Sequence, residues 1–242
     1  MKFLVFDVDG TIVESTQELG EEFQKIFLTL NNKFSLVFIS GTNKTELNRM
    51  VSSKLGSIDH FIISNSGSIC DKIESKKTFN LWKDSLEEKD KEKIKNSLNL
   101  VSKKYNLIPI TSKEDQILDR GSQITFSILG RNAPLEKKKN YDPDTSKRKS
   151  FIQFLNNNGL NEEYDLKIGG TTSIDITLKG INKEYGLKKF MEINKLLKDQ
   201  IIFFGDQLEE GGNDFPVKKL GIRTIKVKNP KDCLEKLNPF LL

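Results

Sequence analysis

Phe3-Leu4-Val5-Phe6-Asp7-Val8-Asp9-Gly10-Thr11 opens the chain with an apolar, β-prone run that leads directly into two carboxylates. A run without polar alternation suits a strand covered on both faces in a parallel sheet. Open α/β sheets bind ligands at the carboxyl ends of their strands, so Asp7 and Asp9 are delivered to the edge where chemistry is done. Strict alternation would point the two acids apart; the chain must turn at Val8-Asp9-Gly10, and Gly10 permits it. Phosphate esters are anionic and slow to react. A carboxylate that attacks one needs a cation to cancel repulsion and an acid to protonate the leaving oxygen, and Asp7 and Asp9 can divide that labour. Asp-Val-Asp-Gly also fits a plain turn after a strand, or the start of a calcium loop, although the later acidic ligands of an EF-hand are missing.

Working outward, Phe34 to Ile39, Phe61 to Ile63, Ile201 to Phe204 and Arg223 to Val227 are further short β-prone runs. Glu18 to Leu30, Lys44 to Leu55 and Lys183 to Leu197 carry apolar residues at helical spacing and stand where βαβ crossovers need helices. The pattern changes in the middle of the chain. A polar helix is expected over Ser85 to Lys104 and another over Thr145 to Asn157, with alternating strands at Ser122 to Ile128 and Ser173 to Thr177. Alternation predicts an antiparallel sheet with one wet or ligand-facing side. The fold class is therefore α/β: a parallel-sheet core from both chain ends, residues 1–80 and 183–242, around an inserted α+β cap, residues 81–182.

Composition sets the bounds. The 242 residues bury a real core without disulfides or structural metal. Thirty-nine Lys and Arg against 34 Asp and Glu leave a formal charge of +5, a mild excess that favours anionic partners only weakly. Lys137-Lys138-Lys139 lacks the aromatic-basic alternation of a nucleic-acid patch and reads as a solvated face, so no nucleic-acid partner is expected. Cys70 and Cys233 are too few for a disulfide framework, and His60 is the single histidine, which leaves no zinc site and points to a reducing cytoplasm. The apolar start is interrupted too soon for a signal peptide or a membrane span, and no membrane partner is expected.

Taken with Phe204-Gly205-Asp206 and Gly212-Asn213-Asp214 far downstream, Asp7-Val8-Asp9-Gly10-Thr11-Ile12 resembles the signature motifs of the haloacid dehalogenase-like superfamily of phosphotransferases. The resemblance implies a Rossmann-like core in which Asp7 is the nucleophile, Asp9 the general acid/base, and Ser40 and Lys183 steady the phosphoryl group. Thr42 rivals Ser40, since the loop can present either hydroxyl. It further implies Mg²⁺ held by Asp7, the main-chain oxygen of Asp9 and Asp206, with Asp214 supporting that shell; an oxygen-rich site of this kind suits Mg²⁺ better than Zn²⁺.

Ile202 to Asp214, and Gly169-Gly170-Thr171-Thr172-Ser173-Ile174-Asp175 followed by Lys183, narrow the resemblance to eukaryotic-type phosphomannomutases with a type IIB cap. That family grips the distal phosphate of its sugar with three cap arginines, matched here by Arg120, Arg131 and Lys138, while Ser173 and Asp175 would meet sugar or phosphate oxygens. Lysine offers one point charge where arginine offers a fork, so Lys138 is a weakened copy. Arg120 and Arg131 also fit surface ion pairs, and Asp175 an ordinary strand position. Thr16 replaces a family arginine, Asn65-Ser66-Gly67 stands for Glu-Asn-Gly, and Phe215-Pro216-Val217-Lys218 lacks the acid of a secondary cation site. Three functions follow: a mutase passing phosphate through Asp7 between two positions of a hexose phosphate, a sugar-phosphate phosphatase in which water attacks the same intermediate, and a silent binding protein. The implied assembly is a homodimer through the cap.

Overall fold

The computed structural model describes residues 2–14 and 17–241, so Thr16, one of the departures from the family pattern, lies outside the described residues. Contacts divide the chain into two compact units, Met1–Lys83 with Ile181–Leu242, and Asp84–Gly180.

The first unit begins with β1 (Lys2–Asp7), α1 (Glu21–Leu30) and β2 (Phe34–Ile39). A helical body follows: α2 (Lys44–Leu47), a π-turn over Asn48–Ser52, and α3 (Ser53–Leu55). Next come β3 (His60–Ser64) and the hairpin β4 (Ile69–Glu74) and β5 (Lys77–Lys83). The second unit holds α4 (Glu88–Lys104), β6 (Ile117–Asp119), β7 (Gln123–Ser127), α5 (Leu135–Tyr141), α6 (Ser146–Asn157), β8 (Tyr164–Gly169) and β9 (Ser173–Leu178). The chain then returns to the first unit with α7 (Lys183–Ile193), β10 (Ile201–Gly205), β11 (Arg223–Lys226) and α8 (Pro230–Leu241).

The core sheet runs β11-β10-β1-β2-β3-β4-β5, parallel from β11 through β3. β1 is apolar on both faces because both are covered. Leu4 and Phe6 pack with Phe27, Phe38 and Phe204 on one side; Phe3 and Val5 pack with Val37, Ile63, Phe190 and Phe203 on the other. The Phe6 ring stacks on Phe204 with centroids 4.9 Å apart. α1 starts at Glu21, three residues later than the periodicity predicts, because Gly20 is extended and serves as its N-cap. α7 stops at Ile193 instead of Leu197: Lys195 turns left-handed, with φ 52°, and Leu196 N–H bonds back to Met191 O.

Beyond β3 the sheet departs from the expected all-parallel pattern. β4 and β5 add an antiparallel hairpin whose two-residue turn, Ser75-Lys76, has both φ angles positive. Asn-Gly is the usual signal for such a turn.

In the second unit the sheet order is β6-β7-β9-β8, antiparallel throughout. Ile124, Phe126, Ile174 and Ile176 face Ile94, Leu98 and Val101 of α4 and Phe151 and Leu155 of α6. The opposite face carries Gln123, Thr125, Ser127, Ser173, Asp175 and Thr177. Of this polar face, Gln123, Thr125, Ser127 and Thr177 are buried, and Ser173 and Asp175 are half-buried. Their polar groups are joined along the sheet, Gln123 Nε2 donating to Thr125 Oγ1 at 3.0 Å and Thr125 Oγ1 donating to Asp175 Oδ1 at 2.8 Å. No helix among the described residues is long and apolar enough to cross a membrane.

Candidate active site

β1 lies between β10 and β2, so its last residue, Asp7, emerges at the middle of the parallel sheet's carboxyl edge. The chain then coils tightly. The N–H groups of Thr11, Ile12 and Val13 all point to Val8 O, and Gly10 N–H donates to Val13 O at 2.8 Å. Gly10 has φ +84°, and a Cβ there would stand 2.6 Å from Asp206 Oδ2, so the turn needs glycine for its conformation and for the approach of this acid.

Asp7 is held at both oxygens. Thr11 Oγ1 donates to Oδ2 at 2.8 Å, and Lys183 Nζ donates to Oδ1 at 2.5 Å. Lys183 is the first residue of α7 and is 3% exposed; its ammonium also donates to Asp214 Oδ1 at 2.6 Å. Asp214 Oδ2 accepts from Gln207 N at 3.1 Å. Asp206 follows β10, and carboxylate oxygens of Asp7, Asp206 and Asp214 lie within 4.8 Å of one another. Burial raises the pKa of all three acids, with neighbouring carboxylates adding to the effect. Burial works against the charge on Lys183, but Asp7 and Asp214 outweigh it and hold the ammonium above its ordinary range.

Three acids and one lysine leave excess negative charge in a confined space. Asp206 Oδ1 is buried and has no hydrogen-bond partner among the described residues, an arrangement that costs free energy unless something fills it. The donors are hard oxygens, which fits a divalent ion of the Mg²⁺ class. The carboxylate of Asp9 is outside this group; Asp9 is half-buried in the coil and bridges to Val13.

Ser40 follows the neighbouring strand, β2. It is 3% exposed and its Oγ accepts Thr42 N–H at 3.0 Å, so the two candidate hydroxyls belong to one tight loop with Thr42 the more accessible. Asn65 N and Ser66 N bond to Thr42 O and Ser40 O and fasten this loop to the end of β3.

The remaining predicted residues sit in the second unit, in two groups. Asp175 stands across from Thr125 in the sheet, with Ser173 on the same face, and Arg120 follows β6. Burial raises the Asp175 pKa, while the Thr125 hydrogen bond and the Arg120 charge oppose that shift. Arg131 and Lys138 form the second group: Arg131 is exposed, and Lys138 Nζ, on α5, donates to Arg131 O at 2.9 Å.

Two contributors were not among the candidate site residues. Thr11 was visible only as the residue after Gly10. Arg148 of α6 is 2% exposed, pairs with Asp142 at 2.7 Å, and its Nη1 donates to Gly169 O and Gly170 O at 2.9 and 2.8 Å. It thereby fixes the turn that leads into Ser173. Its helical phase with Phe151 and Leu155 is the one sequence signal that separates it from the surrounding lysines.

Comparison with known proteins agrees with this geometry. The model of the eukaryotic phosphomannomutase family matches residues 23–242. The chain is 25% identical over 244 residues to a phosphomannomutase of Spinacia oleracea, covering 98% of this chain and 95% of the relative. It is 27% identical over 242 residues to a phosphomannomutase of Encephalitozoon cuniculi, covering 98% and 92%. Among solved structures, an N-terminally truncated IMP-nucleotidase of Plasmodium falciparum matches with a TM-score of 0.70 at 16% identity, covering 99% of this chain and 70% of that one, a likeness of fold. The match over nearly the whole chain, on a haloacid dehalogenase-like core that buries Asp7 against Lys183, places the protein in the eukaryotic phosphomannomutase family, enzymes of the phosphotransferase type.

Proposed function

We propose that this enzyme moves a phosphoryl group between two positions of a hexose phosphate, in the manner of mannose-6-phosphate and mannose-1-phosphate interconversion, with Asp7 as the covalent carrier. The observation that supports it above all is the buried contact of Asp7 with Lys183 beside two further acids. In one half-reaction a free hydroxyl of the hexose monophosphate attacks the phosphoryl group already carried on Asp7, the bond from phosphorus to the carboxylate oxygen breaks, and Asp9 takes the hydroxyl proton, giving a hexose bisphosphate. In the other half, after the bisphosphate has turned around, a carboxylate oxygen of Asp7 attacks the other phosphorus, the bond from phosphorus to the sugar oxygen breaks, and Asp9 gives its proton to the departing oxygen. Lys183 and Thr11 orient Asp7, and Ser40 or Thr42 steadies the transferred group. Mg²⁺ would be held by Asp7, Asp206 and the main-chain oxygen of Asp9, with Asp214 supporting them, and when bound it supplies charge neutralisation for the phosphoryl oxygens.

The cap, residues 81–182, would select the substrate. Arg120, Arg131 and Lys138 take the distal phosphate and Ser173 and Asp175 the sugar or phosphate oxygens. A homodimer through the cap is part of the proposal, supported by exposed Leu100, Tyr105, Ile108 and Ile110, and sedimentation tests it. A cytoplasmic setting agrees with the two free, buried cysteines.

A sugar-phosphate phosphatase is the second reading, favoured by one observation: Thr16 stands where the family has an arginine, so the sequence lacks one phosphate contact. Assaying isomerisation beside phosphate release on mannose-1-phosphate and glucose-1-phosphate separates the two. Interconversion faster than release is expected; release alone would make the enzyme a phosphatase. Arg120→Ala and Arg131→Ala should each weaken hexose phosphates by roughly ten- to a hundredfold, the worth of a charge-assisted contact. Equal losses on para-nitrophenyl phosphate would remove both arginines from the distal site.

A further inference from the structure

Arg131 is carried on a three-residue bridge, Gly130 to Asn132, between buried Leu129 and buried Ala133. Almost every polar backbone group of that bridge is engaged, and one residue outside it, Asp115, makes three of the contacts. Arg131 N–H donates to Asp115 O at 2.8 Å. Asn132 N–H donates to Asp115 Oδ2 at 2.8 Å, and Asn132 Nδ2 donates to Oδ1 at 2.9 Å. Thr111 Oγ1 donates to the same Oδ2 at 2.6 Å and fixes the carboxylate from behind. Lys138 Nζ closes the other side on Arg131 O. Gly130, with φ +94°, lies so close to Thr111 that a Cβ there would collide with Thr111 Oγ1.

A solvent-facing carboxylate whose hydrogen bonds converge on a single exposed loop is spending an ionised acceptor on backbone geometry. The hydrogen bonds from Thr111 and Asn132 hold Asp115 below the usual carboxylate range, with the charges of Arg131 and Lys138 acting in the same direction. A guanidinium on a loose loop must be ordered each time it closes on an anion, and that ordering weakens binding.

We propose that Asp115, braced by Thr111, is a positioning residue for Arg131: it fixes the Gly130–Asn132 backbone so that the guanidinium is presented to the distal phosphate already ordered. The inference rests on the reading that Arg131 meets that phosphate. Asp115 acts through the loop and touches neither the reacting atoms nor, on this account, the sugar.

The test follows hexose-1-phosphate turnover, read as isomerisation or as phosphate release, in Asp115→Ala, Arg131→Ala, the double variant, Thr111→Val and Thr111→Ser. Asp115→Ala should raise KM about three- to tenfold with kcat within about twofold, because ordering is lost and chemistry is not. Added to Arg131→Ala it should change nothing further, since the two residues act as one unit. Thr111→Ser keeps the donor and should behave as the wild type, whereas Thr111→Val should raise KM. If Arg131→Ala leaves KM unchanged, the distal-phosphate reading itself is wrong and the inference falls with it. If Arg131→Ala raises KM but Asp115→Ala does not, or if the double variant shows the full product of the two effects, the positioning role alone is overturned. Should Asp115→Ala fail to fold, the threonine pair decides: equal KM values for Thr111→Val and Thr111→Ser reject the proposal.

Discussion

The two units handle charge in opposite ways. In the core, Asp7, Lys183 and Asp214 are locked together at 3% exposure or less, so their fields act through protein and not through water. In the cap, Arg131 and Lys138 reach into solvent and owe their placement to backbone hydrogen bonds. Charges meant to act on a reacting bond are best fixed beforehand, because reorganising them during the reaction adds to the barrier. Charges meant to seize and release an anion must stay accessible. On the proposed function, charge serves rigidity in one unit and exchange in the other.

The sharpest way to break that contrast is to remove the centre of the core. Asp7→Asn should abolish turnover while the fold persists, because an amide cannot form the acyl phosphate; activity within about tenfold of wild type would reject the nucleophile. Asp9→Asn should cost roughly 10²–10⁴ in rate, the usual contribution of a general acid, and a normal rate would reassign it. Chelation with EDTA should stop turnover and added Mg²⁺ should restore it, with Asp206→Ala raising the Mg²⁺ requirement; full activity in the chelator would exclude the mechanism.

The cap also holds a buried ion pair, Arg148 with Asp142, and it sharpens the comparison. Arg148→Ala strands Asp142 and two carbonyls, so denaturant unfolding should show a loss of about 3–5 kcal/mol. Arg148→Lys restores charge but not the reach to both Gly169 O and Gly170 O, and should recover only part. A loss below about 1 kcal/mol would mean that the turn before Ser173 is held by other groups.

The smallest effect belongs to His60, whose ring nitrogens meet Ile58 O at 2.7 Å and Ser52 Oγ at 2.9 Å. Burial depresses its pKa below 6.5. The unfolded chain therefore binds the proton first as pH falls, and stability present above about pH 6.5 declines below it. Between about pH 7.5 and pH 5.5 the melting temperature of His60→Gln should fall less than that of the wild type, and parallel curves would show that His60 does not contribute.

Much of the core was legible because both faces of β1, β2, β3 and β10 are covered, so each strand writes itself as an uninterrupted apolar run. The carboxylates stood out for the same reason: an acid after such a run has no packing role to explain it. The β4–β5 hairpin was not legible, since its left-handed turn is written Ser75-Lys76 and most of β5 is exposed and polar. α8 did leave a signal. Asn229 caps it, accepting Asp232 N–H at 3.0 Å, with Pro230 at its first position. Asp115 acts through tertiary hydrogen bonds to backbone amides, partners with no periodicity to betray them, whereas Arg148 shows only through its helical phase with Phe151 and Leu155.

β1 pairs with β10, Phe3 opposite Ile201, and Asp7 meets a lysine 176 positions further along the chain. During synthesis Asp7 leaves the ribosome long before Lys183, Asp206 and Asp214 exist, while Asp84–Gly180 is continuous and has all its own partners by then. The nascent core cannot assemble the cluster of Asp7, Lys183, Asp206 and Asp214 until these later residues have emerged, because the pairing that closes the sheet is among the most distant in sequence and the slowest class of contact to form. A truncated product carrying the aspartate motif alone would have no lysine to hold it.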